Sequence, residues 1–141
     1  MSAVEHTSDY EHMRTLPVWQ RRLGLALSGV FGAFMAFDVS IKLMELPIVG
    51  ATLSELGWPP ELGLAIGLME LLAVVLYFYR RTAILGALLM TAVLGGAVAS
   101  HVRIGSPLFS HILFGVYLGL VMWGGLWLRD ATVRHVLPVR R

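Results

Sequence analysis

The chain has 141 residues, a formal net charge of +2, 57% apolar and 14% charged residues, 15 glycines and no cysteine. Ordinary soluble domains carry about 25% charged residues, and a domain this small buries too little of its surface to hide such an apolar excess. The composition excludes a soluble globular or disordered chain, and the missing cysteines exclude disulfides, thiol redox steps, CxxC zinc sites and cysteine-ligated iron–sulfur clusters.

In chain order, residues 1–22 are a polar tail without the apolar core of a cleavable signal, so the first apolar stretch is expected to stay in the mature chain. Four stretches then approach the ~20 apolar residues that a ~30 Å hydrocarbon core demands. They run roughly Leu23–Leu46, Glu61–Tyr79, Thr82–Val102 and Leu108–Leu128, each apolar nearly all round. Between the first two, Thr52-Leu53-Ser54-Glu55 has capping-box spacing and Gly57 follows as a stop, which predicts a short helix over the outer mouth of the bundle. Pro59-Pro60 and Ser106-Pro107 supply starts for spans two and four, with Ser106 as cap. The predicted fold class is all-α: a polytopic bundle of four transmembrane helices over residues 23–130, with a basic tail over 131–141.

Arginine placement gives direction. Arg14, Arg21, Arg22, Arg80, Arg81, Arg129, Arg134, Arg140 and Arg141 fall on one side, against Arg103 and Lys42 toward the other. The positive-inside rule then predicts cytoplasmic termini. Trp19, Tyr77, Tyr79, Trp123 and Trp127 read as an aromatic belt at the inner interface, and Trp58 at the outer one. Basic residues strung along an interface, and not clustered on a soluble face, argue against nucleic-acid binding.

Charges inside spans cost about 2.5–3.5 kcal/mol on insertion scales, so each is a functional candidate. Asp38, Lys42 and Glu45 share one face of span one, and Glu70 sits near mid-depth in span two. Helical Cα–Cβ bonds lean toward the N-terminus, so Lys42 leans into the membrane and Glu70 leans up toward it. His101, Arg103 and His111 lie at or just beneath the outer surface. Small-residue rows mark the expected contact faces: Gly63, Gly67 and Glu70; Ala92, Gly96 and Ser100; His111, Gly115 and Gly119. The structural readings are an intrahelical Asp38–Lys42 pair, a Glu70–Lys42 pair made for folding, and interfacial imidazoles. The functional reading takes the convergence of these groups on one layer as a site. Asp38, Lys42, Glu70 and His101 are its catalytic candidates, and Ser100, Arg103 and His111 its substrate-binding candidates. Two histidines and a carboxylate on separate helices have no diagnostic ligand spacing, so no metal is assigned.

Gly32-Ala33-Phe34-Met35-Ala36-Phe37-Asp38 with Lys42-Leu43 resembles the first-helix signature of DoxX-like membrane proteins. Gly67-Leu68-Met69-Glu70-Leu71 resembles their second-helix motif, and Gly95-Gly96-Ala97-Val98-Ala99-Ser100-His101-Val102-Arg103 with His111 their third-helix end. Arg129-Asp130 closes the fourth helix similarly, and the resemblance covers roughly residues 23–138. It implies a four-helix bundle in the bacterial inner membrane. The family takes its name from a small membrane subunit of an archaeal oxidoreductase that passes electrons from thiosulfate to quinone. Related proteins are linked to membrane complexes that handle oxidants and thiols.

Three functions follow as alternatives. The first is a membrane subunit or anchor that docks a redox partner and handles quinone or protons, with Glu70, Asp38 and His101 as relay and Lys42 or Arg103 polarising an oxygen. The second is a stand-alone membrane enzyme that performs acid–base isomerisation, cyclisation or epoxide opening on a lipophilic substrate, with Glu70 as acid and Asp38 as base. The third is a transport or structural component with no chemistry, which four spans would require to be a homo-oligomer.

Overall fold

The computed structural model describes residues 17–136, which fold into helices and turns with no strand among them. Helix α1 is Val18–Leu43, α2 Pro47–Glu55, α3 Leu62–Phe78, α4 Ala83–Arg103, α5 Leu113–Arg129 and α6 Ala131–Val136, and a π-helical turn over Leu108–Ile112 leads into α5. The tail up to Thr15, together with Arg140 and Arg141, lies outside the described residues.

Among the described residues, three rods are long and apolar enough to cross a membrane: Val18–Leu43, Ala83–Arg103 and the continuous Leu108–Arg129. The apolar helix Leu62–Phe78 is shorter, with 17 residues or about 25 Å at ~1.5 Å per residue. Its stretch was expected to begin at Glu61 and end at Tyr79, but Tyr79 is already extended, with ψ 115°. Helix α1 is displaced toward the N-terminus, starting at Val18 after Pro17, ahead of the expected Leu23, and ending at Leu43, before the expected Leu46.

The long helices form a ring, with α1 against α3 and α5, and α4 against α3 and α5. Every neighbouring pair is antiparallel. Gly24 of α1 meets Arg129 of α5, Lys42 of α1 meets Gly67 of α3, Tyr77 of α3 meets Gly86 of α4, and Val98 of α4 meets Gly115 of α5. One end of the ring therefore gathers Arg21, Arg22, Arg80, Arg81, Arg129 and Arg134, and the other gathers Lys42, α2, Arg103 and the π-helical turn. These are termed the arginine end and the lysine end below.

Toward the arginine end the interior is dry and tightly filled. Phe31, Ala73, Tyr77, Ala87, Met90 and Met122 have no exposure at all. Tyr77, expected in an interfacial belt, is instead the centre of this core. Its hydroxyl donates to the Met122 carbonyl at 2.8 Å and lies 3.0 Å from the Ser28 hydroxyl. Arg129 donates to the Tyr77 carbonyl at 2.9 Å, with its guanidinium 4.6 Å from the centroid of the Tyr77 ring. A buried phenol needs a partner for its O–H, and this one ties α3 to α1 and α5 at once. Gly86 lets α4 approach so closely that a Cβ there would stand 2.2 Å from the Tyr77 nitrogen.

The expected small-residue row on the third span is corrected. Ala92 and Gly96 are exposed, and open space surrounds Gly96, so of that row only Ser100 is buried. Large apolar side chains such as Val30, Phe37, Leu72, Leu88 and Leu120 face outward, the reverse of a water-soluble bundle.

At the lysine end three helices stop in the same manner. Trp58 N–H donates to the Leu53 carbonyl and Gly57 N–H to Ser54; Ser106 donates to His101 and Gly105 to Val102; Leu46 donates to Ile41 and Glu45 to Lys42. Each is a Schellman cap, whose C′ residue takes a left-handed φ: +72° at Gly57, +69° at Gly105 and +52° at Glu45. The expected stop at Gly57 is present. The start of α2 is not at Thr52, because Pro47 opens the helix and the Thr52 and Ser54 hydroxyls bond back to the Ile48 and Gly50 carbonyls. Ser106 likewise serves no cap, its hydroxyl being engaged by His101. A left-handed non-glycine residue costs about 1 kcal/mol. Glu45→Gly should therefore raise unfolding free energy by about 1 kcal/mol in detergent micelles; a null or opposite shift in a denaturant titration would show that Glu45 carries no strain.

Candidate functional site

The polar site grows from spacing on two helices. Asp38 and Lys42 stand one turn apart on α1, on the row that begins at the fully buried Phe31. Across from them, Gly63, Gly67 and Glu70 form a buried row on α3. The row works by close approach: a Cβ at Gly67 would lie 2.7 Å from the Lys42 Cβ. With Gly67 bare, the lysine stem lies flat on α3 and its ammonium reaches Glu70 one turn deeper.

Lys42 Nζ stands 2.7 Å from Glu70 Oε1 and 2.7 Å from Oε2, and it also bonds Asp38 Oδ2. An ammonium has three N–H donors, and all three have carboxylate acceptors here. The Glu70 side chain is 6% exposed, Lys42 18% and Asp38 24%. Two carboxylates thus share one ammonium among apolar helices.

The remaining expected site residues are placed differently. His101 and His111 pair edge to face, with ring centroids 5.5 Å apart, and their Nδ1 atoms lie 2.9 and 2.7 Å from the Ser106 and Ser110 hydroxyls. Among the described residues no hydrogen bond or ion pair joins His101 to the triad. Ser100 accepts from Trp58 Nε1 at 3.0 Å and donates to the Gly96 carbonyl at 2.9 Å. Arg103 donates to the Leu56 carbonyl and stacks 5.7 Å from the Trp58 ring centroid. Ser100 and Arg103 therefore tether the end of α2 to α4, as α2 itself packs Val49 and Leu53 over Gly63. Glu45 is exposed, as a helix-end charge should be.

The lining of the interior changes between the two ends. On α4, Met90, Ala97 and His101 lie seven and eleven residues apart, one face of a helix with ~3.6 residues per turn. Met90 is fully buried, yet Ala97 is exposed and His101 half-buried. The core-facing row of α4 is thus fully packed at Met90 and accessible at Ala97 and His101. Sequence reasoning missed this, and it missed the π-helical turn that carries His111, because an i→i+5 turn has no side-chain signature.

Removing one member of a buried ion cluster leaves its partners without compensation, typically at about 3–5 kcal/mol. Lys42→Met should destabilise the protein by about 3 kcal/mol in micelles, with most of that recovered by the double change Lys42→Met/Glu70→Leu. Simple additivity of the two changes in a denaturation series would contradict the coupling between Lys42 and Glu70.

Comparison with curated proteins and with solved structures returned no match. The pattern of the DoxX-like family, in contrast, runs through residues 26–125, from the first third of α1 to the last turns of α5, and takes in the triad and both histidines. With its apolar rods, its antiparallel ring and these residues inside the matched span, the chain belongs to the DoxX-like family of membrane proteins.

Proposed function

We propose that this protein is a four-span component of a bacterial inner-membrane oxidoreductase system, and that its Asp38–Lys42–Glu70 triad takes up and releases a proton for that system. The charge balance of the triad carries the reading. A purely structural pair needs one carboxylate for one ammonium and is then neutral. Here a second carboxylate contacts the same ammonium, so the cluster reaches neutrality only when it holds one proton. In an apolar interior, that is the arrangement of a proton-binding site.

Connectivity supports the reading of four spans. Helix α3 runs antiparallel to both α1 and α4, so its two ends lie at opposite ends of the ring, and thinning or tilt accommodates a rod a few ångströms short of the core. Cytoplasmic termini are supported by the six described arginines gathered at one end of the ring.

Quinone does not fit the residues at the triad. Lys42 has all three donors on carboxylate oxygens, and Arg103 stands with α2, bonded to the Leu56 carbonyl. Neither cation is placed to polarise a quinone oxygen beside Glu70, so the proton is the species assigned to the site. The absence of cysteine leaves any thiol step to a partner protein.

The test is isolation of the tagged protein from its native membrane in mild detergent, followed by Glu70→Gln in the recovered complex. A redox protein should co-purify in fixed stoichiometry. Glu70→Gln should keep the partner and lower turnover by about 100-fold, the scale of a lost acid–base group. A lone oligomer without a redox partner, or full turnover with Glu70→Gln, would sink the reading.

A further inference from the structure

The interior of this bundle is two environments in series. Phe31, Met35, Tyr77, Met90 and Met122 pack with at most 1% exposure toward the arginine end. On the same rows, toward the lysine end, stand Asp38 and Lys42 on α1, Glu70 on α3, and Ala97 and His101 on α4. Ala97 is the decisive position. It sits within the arc of α4 that Met90, Val93, Leu94 and Ser100 define as inward-facing, and those four residues are buried or half-buried. Its own exposure therefore reports space between the helices, not the lipid-facing back of α4. Asp38 is also 24% exposed, although it too lies on the inward row of its helix, which starts at the fully buried Phe31. His111, against His101, is exposed at the same end.

We propose that this open half is a water-filled vestibule entered from the lysine end, through which the triad exchanges its proton with the aqueous phase on that side alone. The proposal rests on the proton-binding reading above and adds to it a route and a direction. A gap with polar groups holds water where a comparable apolar gap would stay dry: the Asp38 carboxylate supplies partners at the triad, and His101, Ser106 and the exposed His111 and Ser110 supply them at the mouth. Helix α2 roofs the α3 side, with Val49 and Leu53 over Gly63, and its tethers to Ser100 and Arg103 hold that roof in place. In the transfer itself, the carboxyl group releases a proton to a water molecule, giving carboxylate and hydronium, and recovers it by the reverse step. Toward the arginine end the Tyr77 hydroxyl is committed to Met122 and Ser28, and the surrounding Phe31, Met90 and Met122 offer water no partner.

The chain has no cysteine, so single thiols introduced one at a time report cleanly. A charged, membrane-impermeant methanethiosulfonate reagent modifies only thiols that reach water. The comparison is Ala97→Cys in the vestibule, Gly96→Cys on the outward side of α4 at the same depth, and the near-isosteric Ser28→Cys in the dry half. Each is probed in spheroplasts and in inverted vesicles. Ala97→Cys should react at least ten-fold faster than both others, and only from the side opposite an N-terminal tag. Equal, slow reaction of Ala97→Cys and Gly96→Cys would mean that the open half faces lipid, and the vestibule would be abandoned. Reaction from the tagged side would overturn the assigned direction. Neither result depends on turnover, so loss of the vestibule and an inert Glu70→Gln variant are separate outcomes.

Discussion

An ammonium group half-buried among apolar helices must find acceptors within reach of its own stem, because burial leaves too little solvent to satisfy all three of its donors. Lys42 meets this demand with the carboxylate one turn back on its own helix and with a second carboxylate on α3. That requirement propagates outward. The stem can reach Glu70 only by lying against α3, which demands the bare backbone of Gly67, and the next turn of the same row, Gly63, receives Val49 of α2. The approach of α1 to α3, the seat of α2 and the depth of Glu70 are thus set together by the need to solvate one cation.

The other end of the bundle answers a different constraint. There, Tyr77 carries the only polar atom of a buried ring, and its hydroxyl joins α3 to the backbone of α5 and the side chain of α1. Its backbone carbonyl receives Arg129, which also lies over the Tyr77 and Phe78 rings. In lipid, apolar burial gives little preference for helix against helix, so packing and interhelical hydrogen bonds decide which faces meet. Close contacts at Gly86, Gly24 and Gly125 maximise the first, and Tyr77 supplies the second.

Much of this was written in the chain. Apolar length gave the rods, arginine positions gave the two ends, and the i, i+4 spacing of Asp38 and Lys42 with the lean of the Cα–Cβ bonds brought Lys42 to Glu70. What stayed hidden has physical causes. An aromatic near a helix end looks the same whether it anchors in an interface or fills a core, so Tyr77 was read as belt. A glycine is permissive everywhere, so sequence does not say that Gly86 touches a neighbour while Gly96 touches nothing. The left-handed turn at Glu45 lacks the glycine that signals such caps at Gly57 and Gly105. Ser100 and Arg103 drew notice by residue type alone, and sequence could not say that Trp58 and the Leu56 carbonyl, distant in the chain, are their hydrogen-bond partners.

The separation of these two environments bears on how such a short chain can carry both a stable core and a buried charge cluster. A buried charge cluster weakens a fold unless its geometry is satisfied, and a cluster that also exchanges a proton must spend part of its time in a less satisfied state. A bundle whose every layer depended on the triad would loosen whenever one of its contacts was lost. Here the layer of Phe31, Tyr77, Met90 and Met122 contains no ionisable partner of the triad and holds all four long helices through its own contacts. The lysine end can therefore be polar and irregular, with its left-handed Glu45, its π-helical turn and its tethered α2, while the packed layer at the other end supplies a second, independent set of contacts between the helices.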